Sequence, residues 1–277
     1  CALLPTYSMG PMVSLVFAGF SLLHLCLTVW LVRLALVRRS AFIWPVVAVA
    51  AGLVYDNGVV ALGSTLGPGE PLLALSLPRF VVHALATPLL IVFALGAARD
   101  LGLTWARRRM VQAGFWLLTA ALIVYGVVAD LVGLTLVPER EGDALRYTAA
   151  ESVAPIPSMV TIVVLLAVGT ALLVRARTGW MLLGAVLMLA ASAVPDAPLA
   201  VSNVGEVVLI AGLALTARGM GPPPAPTSPR PTSGPWPPQP PNVLPPHTGE
   251  GGHLTRPGPL CYHVPAGTAG TGLPGSR

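Results

Sequence analysis

Seven stretches of this chain are apolar over long distances, at approximately 13–37, 42–64, 77–98, 110–135, 156–175, 179–197 and 199–218. A helix needs roughly 20 residues to cross the hydrocarbon core of a bilayer, and each stretch meets or approaches that length. The runs are continuous rather than alternating, which points to helices and away from barrel strands. A helix also satisfies its own backbone hydrogen bonds where no water is present to do so. Composition agrees, with 55% hydrophobic and 10% charged residues, where a soluble domain carries about a quarter charged. The expected fold class is an all-α integral membrane protein, a bundle of seven transmembrane helices.

The few charges orient that bundle. The formal net charge is +5, and all sixteen basic residues are arginine. Most of them lie in short clusters between apolar runs, a pattern of membrane orientation rather than of a nucleic-acid recognition face. No nucleic-acid partner is expected; the partner is the lipid bilayer. Arg38-Arg39, Arg99 with Arg107-Arg108-Arg109, and Arg175 with Arg177 occupy alternate connections, and Arg218 closes the last run. The other connections carry Glu70, the charged segment from Glu139 to Glu151, and Asp196. Arginine-rich connections stay cytoplasmic. The N-terminus is therefore expected outside and the C-terminus inside, in a multi-pass protein of a bacterial-type plasma membrane. Trp44, Trp105 and Trp180 fall at the same inner boundary, where an aromatic belt belongs.

Residues 1–12 read as a short extracytoplasmic N-terminus ahead of the transmembrane domain at 13–218. Because the chain opens on Cys1, Met9 or Met12 is the start expected from the position of the first run. Residues 219–277 are rich in Pro and Gly and cannot bury enough apolar surface to offset chain entropy, so a disordered cytoplasmic tail is expected. Cys1, Cys26 and Cys261 have no metal or redox spacing. Cys26, inside the first run, reads as a small buried hydrophobe.

Against this apolar background the polar residues stand out by depth. The stretch "AGLVYDNGVVALGS" places Tyr55, Asp56 and Asn57 about two-thirds of the way along the second span, counting 1.5 Å per residue from its inner end. On the third span Arg79, His83 and Thr87 recur at i, i+4 and i+8 and so share one face. Asp130 lies near the outer end of the fourth span, on a stripe with Gly126 and Gly133. On the last span Asn203 and Glu206 are one turn apart, with Ser202 beside Glu206. Asp196 sits at the outer mouth of the sixth. Gly52, Gly63, Gly126 and Gly133 read as close-packing positions.

All these polar groups fall in the outer half, whereas the inner half is nearly pure Leu, Val and Ala. Intramembrane ionisable groups are costly and face a bundle interior or a wet cavity. The expected site is one outward-opening polar pocket built from Tyr55, Asp56, Asn57, Arg79, His83, Asp130, Asn203 and Glu206. An Asp56–Arg79 ion pair locking the second and third spans is the competing structural reading. Four acids (Asp56, Asp130, Asp196, Glu206) against Arg79 and a neutral His83 need a metal, a bound cation or protonation.

Two functions fit such a pocket. In the first the protein binds a small molecule or lipid as a sensor, receptor or carrier. In the second Asp56, His83 and Glu206 hold a divalent metal and the protein is a membrane-embedded hydrolase of a lipid or amphiphile. Retinal bound through a Schiff base is excluded, because the chain contains no lysine.

Overall fold

The computed structural model describes residues 12–151, 154–194 and 198–221. The expectations for residues 1–11, for Asp196 and for the tail beyond 221 lie outside the described residues. Within them run α1 (Met12–Arg38), α2 (Trp44–Leu66), α3 (Glu70–Ala86), α4 (Leu90–Asp100), α5 (Arg109–Gly126), α6 (Ile156–Ala176), α7 (Trp180–Ser192) and α8 (Leu199–Ala217). Six helical segments are long and apolar enough to cross a membrane: Met12–Arg38, Ala41–Leu66, Glu70–Asp100, Arg109–Leu131, Ile156–Ala176 and Leu199–Ala217. The chain is a helical, multi-pass membrane protein.

The third segment is one rod broken in the middle. A 3₁₀ turn at Thr87–Leu89 joins α3 to α4, and Pro88 is the reason. It has no N–H to return to the Ala84 carbonyl, and its ring crowds that carbonyl. The rod begins at Glu70, earlier than the expected boundary at 77. The run expected to cross at 179–197 also differs. Its helix α7 has 13 residues, about 20 Å at 1.5 Å per residue, against roughly 30 Å of hydrocarbon. It lies antiparallel along α8. A Cβ on Gly212 would meet the Trp180 carbonyl, one on Gly184 the Leu209 backbone, and one on Gly205 the Ala191 side chain. Lipid tails are as apolar as these helices, so close backbone packing rather than expulsion from water holds such pairs together.

The half-rod α4 is the centre of the bundle. Every residue from Leu90 to Ala98 is buried, within a core that α1, α2, α6, α7 and α8 also supply. The outward faces carry large exposed apolar side chains, among them Leu22, Leu117, Val124, Met159 and Val163. So wide an apolar surface suits acyl chains rather than water. Cys26 is on that surface and not buried as expected. Small polar side chains along the helices bond back to the carbonyl four residues earlier, as Thr28 does to His24, Thr119 to Phe115 and Thr216 to Gly212. This keeps them satisfied where water is scarce.

The connection after α5 holds a feature that the all-helical expectation lacked. Strands β1 (Leu136–Glu141) and β2 (Ala144–Ala149) form an antiparallel hairpin, in register from Leu136 opposite Ala149 to Glu141 opposite Ala144. Gly142 opens its two-residue turn at φ +60°, a left-handed conformation that L side chains resist. The hairpin side chains cap the bundle. Asp143 accepts the Val13 and Ser14 amides at 2.8 and 3.3 Å, at the start of α1. Glu141 accepts the Leu199 amide of α8 at 3.1 Å, and the Tyr147 hydroxyl accepts the Gly69 amide just before α3 at 3.1 Å. First-turn amides have no carbonyl partner within their own helix and favour negative charge, which makes acidic residues on a short strap effective anchors. Leu145 and Tyr147 pack with Val59 and Leu72.

Of the glycines expected at close contacts, Gly52 meets Val82, Gly63 meets the Leu145 carbonyl and Gly126 approaches the Ala84 carbonyl. Gly133 departs from that expectation. It has open space beside it and a φ of +76°, so it ends the helical segment rather than packing against a neighbour.

Candidate functional site

The site begins with one face of α3. Arg79, His83 and Thr87 do share it, and all three line a cavity of about 650 Å³, within the size range of small-molecule sites. Asp56 reaches the same cavity from α2 and Glu206 from α8. Asp130 arrives from a π-helical turn, Val127–Leu131, that follows α5. Such widened turns re-aim side chains that a regular helix would hold elsewhere. The inner wall is apolar, with Val49, Gly52, Leu53 and Phe80. Thr135 and Thr148, at the base of the hairpin, and Glu151 form the wall nearer the loops.

Asp56 and Arg79 form an ion pair, with Nε to Oδ1 at 2.5 Å. The Arg79 side chain is 10% exposed and that of Asp56 is 32% exposed. Arg79 Nη1 is buried without a hydrogen-bond partner among the described residues. His83 Nε2 lies 3.1 Å from Ser158 Oγ, at the start of α6. Thus the cavity wall carries the carboxyl groups of Asp56, Asp130, Glu151 and Glu206 and one guanidinium, already engaged by Asp56.

Three of the eight residues expected at the pocket are held elsewhere. The Tyr55 hydroxyl donates to the Leu75 carbonyl of α3 at 2.8 Å. Asn57 and Asn203 each donate the side-chain amide to the carbonyl four residues earlier, Leu53 and Leu199, at 2.9 Å. Their Oδ1 atoms, and His24 Nε2 on α1, are buried without hydrogen-bond partners among the described residues. Ser202 bonds the Leu199 carbonyl rather than Glu206. Among the described residues, no three His, Cys, Asp or Glu side chains are grouped as a metal ion needs. Asp56, His83 and Glu206, the metal set of the alternative reading, all line the cavity but form no such group.

Sequence reasoning missed Ser158 and the hairpin wall. The hairpin has a signal, "TLVPEREGDALRYTA", where β-branched and aromatic residues flank a Gly-Asp turn. Ser158, third in its helix, shares its outer depth with His83, but nothing in the spacing of residues 83 and 158 pairs them.

Compared with known proteins, the chain matches no family model, no curated protein and no solved structure.

Proposed function

We propose that this protein is a seven-helix bundle of a bacterial-type plasma membrane, with its N-terminus outside, whose outward-facing cavity binds a small molecule or lipid as a sensor, receptor or carrier. The observation that carries this reading is the convergence of Asp56, Arg79, His83, Asp130 and Glu206, from four separate elements, on one cavity. Ionisable groups at membrane depth are costly. A chain that only needed to neutralise them would pair each one off, yet Asp56 and Arg79 are the one ion pair among the five. The alternation of arginine-rich and acidic connections supports the orientation; with the N-terminus outside and the C-terminus inside, this reading counts the 13-residue α7, packed along α8, as the seventh crossing beside the six longer segments.

Two experiments test the proposal. In a background without native cysteines, Pro68→Cys in the α2–α3 connection should react with an impermeant maleimide on intact cells. Reaction only after lysis reverses the topology. In nonionic detergent, a panel of neutral, cationic, anionic and zwitterionic amphiphiles should include at least one class that raises the unfolding temperature. That stabilisation should shrink in Glu206→Gln. No stabilisation by any class, or stabilisation that the substitution leaves intact, refutes a ligand site at this cavity.

A further inference from the structure

His83 and Ser158 meet within hydrogen-bond distance at the cavity wall. From the geometry we infer that Ser158 is a nucleophile activated by His83, and that the cavity cleaves carboxylic esters of a lipid-like amphiphile. This inference rests on the reading that the cavity admits a ligand.

The geometry carries it in four parts. His83 Nε2 and Ser158 Oγ are 3.1 Å apart, inside the reach of a base and the hydroxyl it deprotonates. The two come from different rods, α3 and α6, and both line the cavity, so a substrate there meets the hydroxyl directly. Ser158 is the third residue of α6. Its own backbone N–H therefore has no carbonyl within the helix to bond, and it lies at the positive end of the helix dipole, where an oxyanion is favoured. Finally, Asp130 shares the cavity with His83 and is in no salt bridge among the described residues. Its carboxylate offers negative charge to the imidazolium that forms.

The wall selects the substrate class. Val49, Leu53 and Phe80 make an apolar bed for an acyl chain, whereas Asp130 and Glu151 oppose an anionic headgroup. In the first step the Ser158 oxygen attacks the ester carbonyl carbon and its proton passes to His83 Nε2. The tetrahedral oxyanion collapses, the bond from carbonyl carbon to alkoxy oxygen breaks, and His83 returns the proton to the departing alcohol. In the second step a water molecule attacks the acyl carbon and gives its proton to His83. Collapse releases the carboxylic acid, and the proton on His83 restores the Ser158 hydroxyl. Water is the only co-reactant.

The test uses the full chain in nonionic detergent and a fluorophosphonate bearing a long alkyl chain. Ser158 Oγ displaces fluoride and remains phosphonylated, and mass spectrometry of peptides locates the adduct. The expected result is one adduct per chain, on Ser158, absent in Ser158→Ala. The rate should fall by about 100-fold or more in His83→Gln, the usual scale for losing a general base, while its circular dichroism and unfolding temperature stay near those of the parent. An adduct at another residue, no adduct, or an equal rate in a folded His83→Gln protein overturns the inference. If a neutral alkylphosphonate diester, which lacks the fluoride leaving group, stabilises the protein while the fluorophosphonate leaves Ser158 unmodified, the nucleophile is refuted and ligand binding stands. If neither compound binds or reacts, the nucleophile is refuted; if in addition no amphiphile class of the panel above stabilises the protein, both readings fall.

Discussion

Replacing Asp56 by Asn should be among the most damaging single changes in the bundle, and worse than replacing Arg79 by Gln. The asymmetry follows from exposure. Asp56→Asn strands a guanidinium whose side chain is 10% exposed and which already has one nitrogen, Nη1, without a partner among the described residues. Stranding a buried charge in this way costs about 3–5 kcal/mol. Arg79→Gln strands a carboxylate that is 32% exposed to the cavity. Water and protonation can reach it there, so the cost is discounted for screening to about 1–3 kcal/mol. The double variant removes both charges, and its cost should fall short of the sum of the singles by about 2–3 kcal/mol. Reversible unfolding of the four proteins in mixed micelles, titrated with dodecyl sulfate and followed by circular dichroism, measures that coupling. A coupling below about 0.5 kcal/mol is within ordinary additivity and would refute the ion pair as a lock between α2 and α3. A larger loss from Arg79→Gln than from Asp56→Asn would refute the exposure argument.

The hairpin yields two further predictions. Desolvation pushes the Asp143 carboxyl up, but hydrogen bonds from Ser14, Val13 and its own backbone outweigh that and hold it below its ordinary value. A depressed carboxylate contributes stability that is fully present above the unfolded value, about 3.9, and is lost as pH falls through the lower folded value. The difference in unfolding temperature between parent and Asp143→Asn should therefore be constant above about pH 5 and shrink on further acidification; a difference that is flat through that range removes the carboxylate anchor. Gly63→Val should lower stability by about 1–3 kcal/mol, the range for overpacking, because its side chain would overlap the Leu145 carbonyl. Limited proteolysis between β1 and β2 should quicken in that variant, and unchanged cleavage would show that the hairpin does not depend on this contact.

Much of this was legible along the chain because it depends on local length and period. The continuous apolar runs specify helices, since the bilayer leaves the backbone no other internal partner. The i, i+4, i+8 spacing puts Arg79, His83 and Thr87 on one face whatever that face meets. Depth alone identified Asp56, Asp130 and Glu206 as residues for one cavity. Depth failed for Tyr55, Asn57 and Asn203, because it does not say which way a side chain points. Asn57 and Asn203 turned to their own helix carbonyls, and Tyr55 turned to the Leu75 carbonyl of α3.

By itself, then, the sequence determined a helical membrane protein, the approximate ends of most of its rods and the polar face of α3, all consequences of hydrogen bonding and helical period within single segments. Only the tertiary structure decided that α4 is the buried centre, that Asp143, Glu141 and Tyr147 cap helices far away in sequence, and that His83 meets Ser158 across 75 residues. Those outcomes depend on how rods pack. Rods in lipid choose their neighbours through side-chain fit and close backbone approach, and that information is shared between segments rather than carried by any one of them.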